Sequence, residues 1–270
     1  AGGLVLSGHT DVVPVDGQPW STDPFTLVDK GDNKLYGRGT CDMKGFIACA
    51  LAELPEWLKR GLDKPIYLAL SYDEEVGCIG APRMIERLMA DHPRPAAVIV
   101  GEPTMMQPVV AHKGATNLRT TVTGRASHSS QVDQGVSAIH VAARLVTKIE
   151  DVMSELRAEG RVDEAFNVAH SSLHVGKIAG GTAINIMARE CTFEWEIRHL
   201  PSDRFEELIG RVNAYAEELE AEMQRRAPET GIVTEALNVT VPALADDNNA
   251  QVLDLCRELL GEQPSGAVAY

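Results

Sequence analysis

The sequence predicts an α/β protein with a mostly parallel sheet, interrupted by a smaller domain of β-α-β-β-α-β order. Up to about residue 112, short apolar runs alternate with helix-spaced apolar residues, the pattern of strands joined by crossover helices. After that point the strands alternate apolar and polar residues, as half-exposed antiparallel strands do. Beyond residue 243 the first pattern returns, so the second domain is an insertion. The domains so read are 1–112, 113–243 and 244–270, with the first and last belonging together.

Each element has its own signal. Leu4–Leu6 is a buried-strand candidate. Phe46, Ile47, Ala50, Leu51, Leu54 and Leu58 follow helical spacing, and Pro55, which lacks an N–H, argues for a kink or an early end. Ile66–Leu70 is a second strand, Met84–Met89 lies in a helix, and Ala97–Val100 is a third strand. In the insertion, Asn117–Thr123 alternates like a half-exposed strand and Val136–Leu156 is helical. Leu173–Ile178 and Ile184–Ile197 read as strands joined around Gly180-Gly181, a hairpin signal. Asp203 is placed to cap a helix over Phe205–Arg225, and Glu235–Val241 closes the ferredoxin-like order. Asn248–Leu260 returns to a crossover-type helix.

Composition excludes several classes of function. With 44% apolar and 24% charged residues, the chain is that of an ordinary globular protein. A net charge of −14 argues against nucleic acid and against anionic lipid as partners. No apolar run is long enough to span a bilayer. The five cysteines are odd in number, scattered and without a C-x-x-C pair. That predicts a reducing, cytoplasmic setting with no disulfide framework and no cysteine zinc site. The chain opens on "AGGLVLSGH", which reads as the middle of a domain.

The chemistry gathers at strand ends. "LVLSGHTD" ends in His9 and Asp11, "IYLALSYDEE" in Asp73, Glu74 and Glu75, and "AVIVGEPT" in Glu102. Ligands of open α/β sheets bind outside the carboxyl ends of the strands. Asp42, after the glycine-rich turn "GRGTCD", could reach the same rim. Taken singly, His9 is a loop histidine, Asp42 a helix cap, and Glu74, Glu75 and Glu102 turn residues. Together they would repel one another unless a cation sat among them. Imidazole and carboxylate without thiolate suit zinc, cobalt or manganese, with Asp42 as the candidate bridge between two metals. Cys41 reads as a small packing residue.

"SGHTDVVP", "LYGRGTCDMKGF", "SYDEEVGCIGA", "GEPT", "GRASHSS" and "GGTAINI" resemble, in order, the motifs of one family. It is the di-zinc metallopeptidase family of acetylornithine deacetylase, succinyl-diaminopimelate desuccinylase, carboxypeptidase G and aminoacylase. The resemblance implies a zinc-peptidase-like catalytic domain with an inserted lid and dimerisation domain. It implies two zinc ions, with cobalt as the alternative, held by His9, Asp42, Glu75 and Glu102, with Asp42 bridging. Asp11 would orient His9, Glu74 would act as general base, and His128 would help hold an oxyanion. Asn185 and Arg198 would grip a substrate carboxylate. The implied partners are a small N-acyl amino acid, N2-acetyl-L-ornithine foremost, and a second copy of the chain. Other N-acyl-amino-acid hydrolysis, dipeptide hydrolysis, or non-catalytic binding on the same fold stay open. The family pattern continues past "SGAVAY" to a further ligand histidine and also has an amino-terminal helical segment. The sequence is therefore expected to be truncated at both ends.

Overall fold

The computed structural model describes residues 2–261 and 264–268; Tyr270, at which the expected truncation was read, lies outside them. The chain divides into two compact units, 1–108 with 247–265 and 109–246 with 266–270.

In the first unit, β1 (Leu4–His9) is the middle strand of a three-stranded parallel sheet. Further along, the chain forms a short antiparallel ribbon, β2 (Val28–Asp29) with β3 (Leu35–Tyr36). Helix α1 (Lys44–Arg60) then leads to β4 (Ile66–Ser71), α2 (Ala81–Asp91) and β5 (Ala97–Val100). The sheet order is β4-β1-β5. Its register sets His9 opposite Ser71 and Ser7 opposite Val100, so all three strands end at one rim. Helix α1 does not stop at Pro55, which lies inside it. The carbonyl that Pro55 leaves unbonded is that of Leu51, an exposed residue, so water can satisfy it. The helix ends instead at Gly61, whose positive φ suits its missing side chain.

The second unit opens with β6 (Val109–His112) and β7 (Gly114–Thr123), followed by α3 (Ala138–Ala158) and β8 (Ser172–Gly180). It continues with β9 (Glu190–His199), α4 (Phe205–Arg226) and β10 (Gly231–Ala236). Strands β7 to β10 make an antiparallel sheet in the order β10-β7-β9-β8, the ferredoxin-like arrangement the sequence predicts. Helix α3 buries Leu145, Ile149, Val152 and Leu156, spaced three and four apart, against Phe193 and Trp195 of β9. Each such side chain contributes about 1.5–3 kcal/mol by leaving water. Helix α5 (Ala250–Leu260) returns to the first unit, and β11 (Gly266–Val268) pairs with β6 in the second.

Three expectations shift. Strand β9 begins at Glu190, and Ile184 is fully exposed. The segment before it leaves the sheet to bond elsewhere: Met187 N–H donates to the Ser127 carbonyl (2.8 Å) and the Asn185 carbonyl accepts from Ser129 N–H (3.0 Å). The last strand of the insertion runs over Gly231–Ala236, pairing with Thr123 back to Leu118, and only single bonds carry the pairing on to Val241. Asp203 is not a helix cap. Its carboxylate is buried and accepts from Arg161 (2.7 and 2.9 Å) and from the Ser171 hydroxyl (2.5 Å).

Candidate metal centre

His9 is the last residue of β1 and is 2% exposed. Glu74 lies three residues past the end of β4 and Glu102 two past the end of β5, so in-register parallel strands deliver all three to one rim. The Thr10 N–H and hydroxyl both donate to the Ser71 carbonyl (3.0 and 3.1 Å), tying the exit of β1 to that of β4.

Asp42 comes from the turn that opens α1. Gly39 takes φ +83°, and a Cβ there would lie 2.8 Å from Val12. The Lys44 ammonium donates to the Thr10 carbonyl, which draws the start of α1 toward β1. Beside Glu102, Gly101 leaves no room for a side chain because the Phe46 ring lies against it. Small residues therefore let α1 and the strand ends close on each other.

His9 Nε2 is 2.9 Å from Asp42 Oδ1, 3.6 Å from Glu102 Oε1 and 4.0 Å from Glu74 Oε2. Donor atoms of His9, Asp42 and Glu102 all fall within 4.8 Å of one another, a set that could hold one divalent ion. Glu75 is not in that set, but its carboxyl is close enough to feel Asp42. On the opposite ring edge, His9 Nδ1 meets the Asp11 backbone carbonyl at 3.1 Å and its carboxylate Oδ1 at 3.4 Å. The other Asp11 oxygen accepts the Glu75 N–H at 3.0 Å. Asp11 thus braces His9 chiefly through its main chain and braces the Glu75 turn through its side chain.

The charges are strained in the way a cation would relieve. Burial, then the Asp42 charge, push the Glu75 and Glu102 carboxyls above the usual range. Burial lowers the pKa of His9, but its hydrogen bond to Asp42 and the charges of Glu74 and Glu102 outweigh that and raise it. Burial also pushes Asp11 up, yet the Glu75 and Glu74 backbone N–H groups overcome this and hold it low. A nitrogen and oxygen donor set with mutually repelling carboxylates fits a divalent metal ion.

The remaining candidates lie in the second unit. His128 precedes a short helical turn, with Nδ1 2.8 Å from the Ser130 hydroxyl. Asn185 is exposed in the neighbouring segment, and His128 and Ile186 form a bridge. Arg198 pairs with Glu196 at 3.0 Å near the far end of β9. Eight residue steps along the strand separate it from Glu190, roughly 27 Å. Two features were not foreseen. Cys41 is exposed rather than packed. The Cys78 thiol donates to Glu74 Oε1 at 3.3 Å, and only its position four residues after Glu74 hints at this in the sequence.

Fold and rim together define an α/β protein with a candidate divalent-metal centre at the carboxyl edge of a parallel sheet. The sequence pattern of Peptidase family M20/M25/M40 matches residues 5–246, and the chain belongs to that family. This bears out the resemblance read from "SGHTDVVP" to "GGTAINI". The chain is 36% identical over 264 residues to an acetylornithine deacetylase of Pasteurella multocida, covering 97% of this chain and 66% of that protein. It is 38% identical over 261 residues to an acetylornithine deacetylase of Shigella sonnei, with the same coverage. The chain thus spans about two thirds of the length of these relatives. A tripeptidase from Staphylococcus aureus shares the fold, with a TM-score of 0.70, 21% identity, and 98% of this chain and 66% of that one covered. No helix among the described residues is long and apolar enough to cross a membrane.

Proposed function

We propose that the protein is a metal-dependent amidohydrolase that cleaves N2-acetyl-L-ornithine to ornithine and acetate, a step of arginine biosynthesis in the cytoplasm. The observation that carries this reading is the convergence of His9, Asp42 and Glu102 on one rim with Glu74 beside them. The deacetylases among its relatives support the substrate. Zinc is the metal proposed, with cobalt as a substitute. His9 and Glu102 would hold one ion and Glu75 would contribute to a second, with Asp42 available to both. A divalent ion held there would supply Lewis acidity for the amide carbonyl and for water near neutral pH.

The chain's own residues do the rest. The Glu74 carboxylate takes the proton of the attacking water as the new C–O bond forms. It returns that proton to the amine nitrogen as the C–N bond breaks. Asp11 holds His9 in one orientation. His128 offers a ring N–H to the carbonyl oxygen as charge develops on it. Either Asn185 or Arg198 binds the substrate carboxylate, since a strand's length of β9 separates them; Arg198 would exchange its Glu196 partner for the ligand. Retention of Glu74 next to Glu75 favours catalysis over simple binding, because a binding protein has no use for the base. Residues 113–243 are proposed as a lid and as the surface of a homodimer.

The test is hydrolysis of N2-acetyl-L-ornithine by the intact protein, with elemental analysis of the same sample. Turnover with stoichiometric zinc or cobalt is expected. An intact, folded protein with neither metal nor turnover would sink the reading.

A further inference from the structure

Glu74 needs an orientation as well as a place, and the turn that carries it supplies one. After β4 the chain folds back so that the Gly77 and Cys78 N–H groups both donate to the Glu74 carbonyl at 2.9 Å. Ile79 N–H donates to the Asp73 carbonyl at 3.0 Å and Ala81 N–H to the Cys78 carbonyl at 3.2 Å. Within this turn Cys78 adopts φ +58°, a left-handed conformation that glycine would take more readily. A side chain held there at such a cost points to use, and this one is used: its S–H donates to Glu74 Oε1 at 3.3 Å. The other carboxylate oxygen, Oε2, is the one directed at His9, 4.0 Å away. One oxygen is thus tied back into the turn and the other faces the ligand cluster.

We propose that Cys78 is a positioning residue for Glu74: its thiol pins one carboxylate oxygen so that the other presents its lone pairs to the attacking water. This rests on the reading of Glu74 as the base. A thiol suits the task for two reasons. Burial, then the Glu74 charge, push its pKa up to about 12, so it stays an S–H donor and does not become a competing thiolate. An S–H is also a weak donor, so it orients the carboxylate without draining much of its basicity. A stronger donor at the same place would hold the base firmly but weaken it.

The experiment uses the metal-loaded, intact protein. Cys78→Ala is expected to lower kcat by about 5- to 20-fold, the loss of one hydrogen bond felt in the transition state, with KM and metal content little changed. Cys78→Ser, which restores a donor but a stronger one, is expected to recover part of that loss. A packing role would also slow Cys78→Ala, so the deciding measurement is a double-mutant cycle with Glu74→Asp. Aspartate draws its carboxylate back from residue 78, so in that background Cys78→Ala should cost little further. An equal cost in both backgrounds, or an unchanged kcat in Cys78→Ala, overturns the proposal. Glu74→Asp also separates the two readings. If it leaves kcat unchanged, the assignment of the base has failed. If it slows turnover while Cys78→Ala does not, only the role of Cys78 has failed.

Discussion

Asp11 offers the sharpest division of labour in the rim, because its two oxygens face different partners. Oδ2 accepts the Glu75 N–H at 3.0 Å, and Oδ1 stands 3.4 Å from His9 Nδ1, whose nearer partner is the Asp11 main-chain carbonyl at 3.1 Å. Asp11→Ala removes the acceptor of a half-buried backbone N–H, which costs about 1–2 kcal/mol if nothing replaces it. That should move the urea midpoint of the chelated protein down by about 0.5–1 M. The His9 ring keeps its main-chain partner, so metal affinity should fall only toward the lower end of the roughly 10- to 100-fold range seen when such supports are lost. Asp11→Asn behaves differently. Its amide oxygen can still accept from Glu75, so the urea midpoint should return close to that of the unmodified protein. Its NH2 then faces His9 Nδ1–H, donor against donor, and metal affinity should fall further than in Asp11→Ala. Urea unfolding of chelated protein and metal titration of loaded protein read the two effects separately. If Asp11→Asn proves as unstable as Asp11→Ala, or binds metal more tightly than it, the split between the two oxygens is wrong.

Glu74→Gln should abolish turnover while metal content stays near normal, because an amide cannot accept the water's proton. A kcat near that of the unmodified enzyme would place the base elsewhere. His128→Ala should lower kcat by about 10² or more, the range for a lost oxyanion donor, with metal content unchanged; an unaltered kcat would remove it from the site. Asp203→Ala should cost about 2–3 kcal/mol in urea unfolding, since the Ser171 hydroxyl loses its buried acceptor while Arg161 keeps only its more exposed partner Glu207. A loss nearer 1 kcal/mol would mean the residue is worth no more than a helix cap. In chelated protein the raised carboxyls of Glu75 and Glu102 bind protons more tightly folded than unfolded, and so does His9. Their stabilisation is therefore fully present below the ordinary carboxylate and imidazole values and is lost as pH rises through the raised folded ones. Urea midpoints of chelated protein should fall as pH rises above the ordinary glutamate value, about 4.3, and past the ordinary histidine value, about 6.5, and added metal should flatten the trend; a rising trend would contradict the crowding of charges at the rim.

The rim was legible because its logic is local to each strand. An apolar run that ends in His9, in Glu74-Glu75 or in Glu102 announces both a strand and what stands at its carboxyl end, and a parallel sheet lines those ends up. The ferredoxin-like order was legible for a similar reason, since β7 and β9 alternate buried and half-buried residues along their length. What stayed hidden depends on partners far away in sequence. Asp203 looks like a cap from its neighbours, and only the approach of Arg161 and Ser171 turns it into a buried ion pair. Ile184 continues an apolar run, yet its segment is drawn out of the sheet by bonds to residues 127–129. Pro55 breaks the pattern locally but not the helix, because α1 presents Leu51 to solvent at that turn.

The same division bears on how the candidate centre is built. The strands that lead to His9, Glu74 and Glu102 are placed by a hydrogen-bonded ladder: ten pairs of residues are in register along β1, six with β4 and four with β5. Asp42 is placed by the closeness of α1 to β1, which the bare Gly39 and the Lys44 bond to Thr10 permit.

 That ladder runs from Leu4 opposite Ile66 to His9 opposite Ser71, and from Leu4 opposite Ala97 to Ser7 opposite Val100. Backbone pairing thus brings together the strand ends that carry the donors, and the strain their carboxylates carry is electrostatic rather than conformational. A metal entering this rim has little backbone to reorganise, and the repulsion it relieves adds to its affinity. Chelation should then weaken the protein without unmaking the sheet. The far-ultraviolet circular dichroism of loaded and chelated protein should coincide, while their urea midpoints differ. A loss of strand signal on chelation would mean instead that the metal organises the rim and that the ladder of β1 is not enough to hold it.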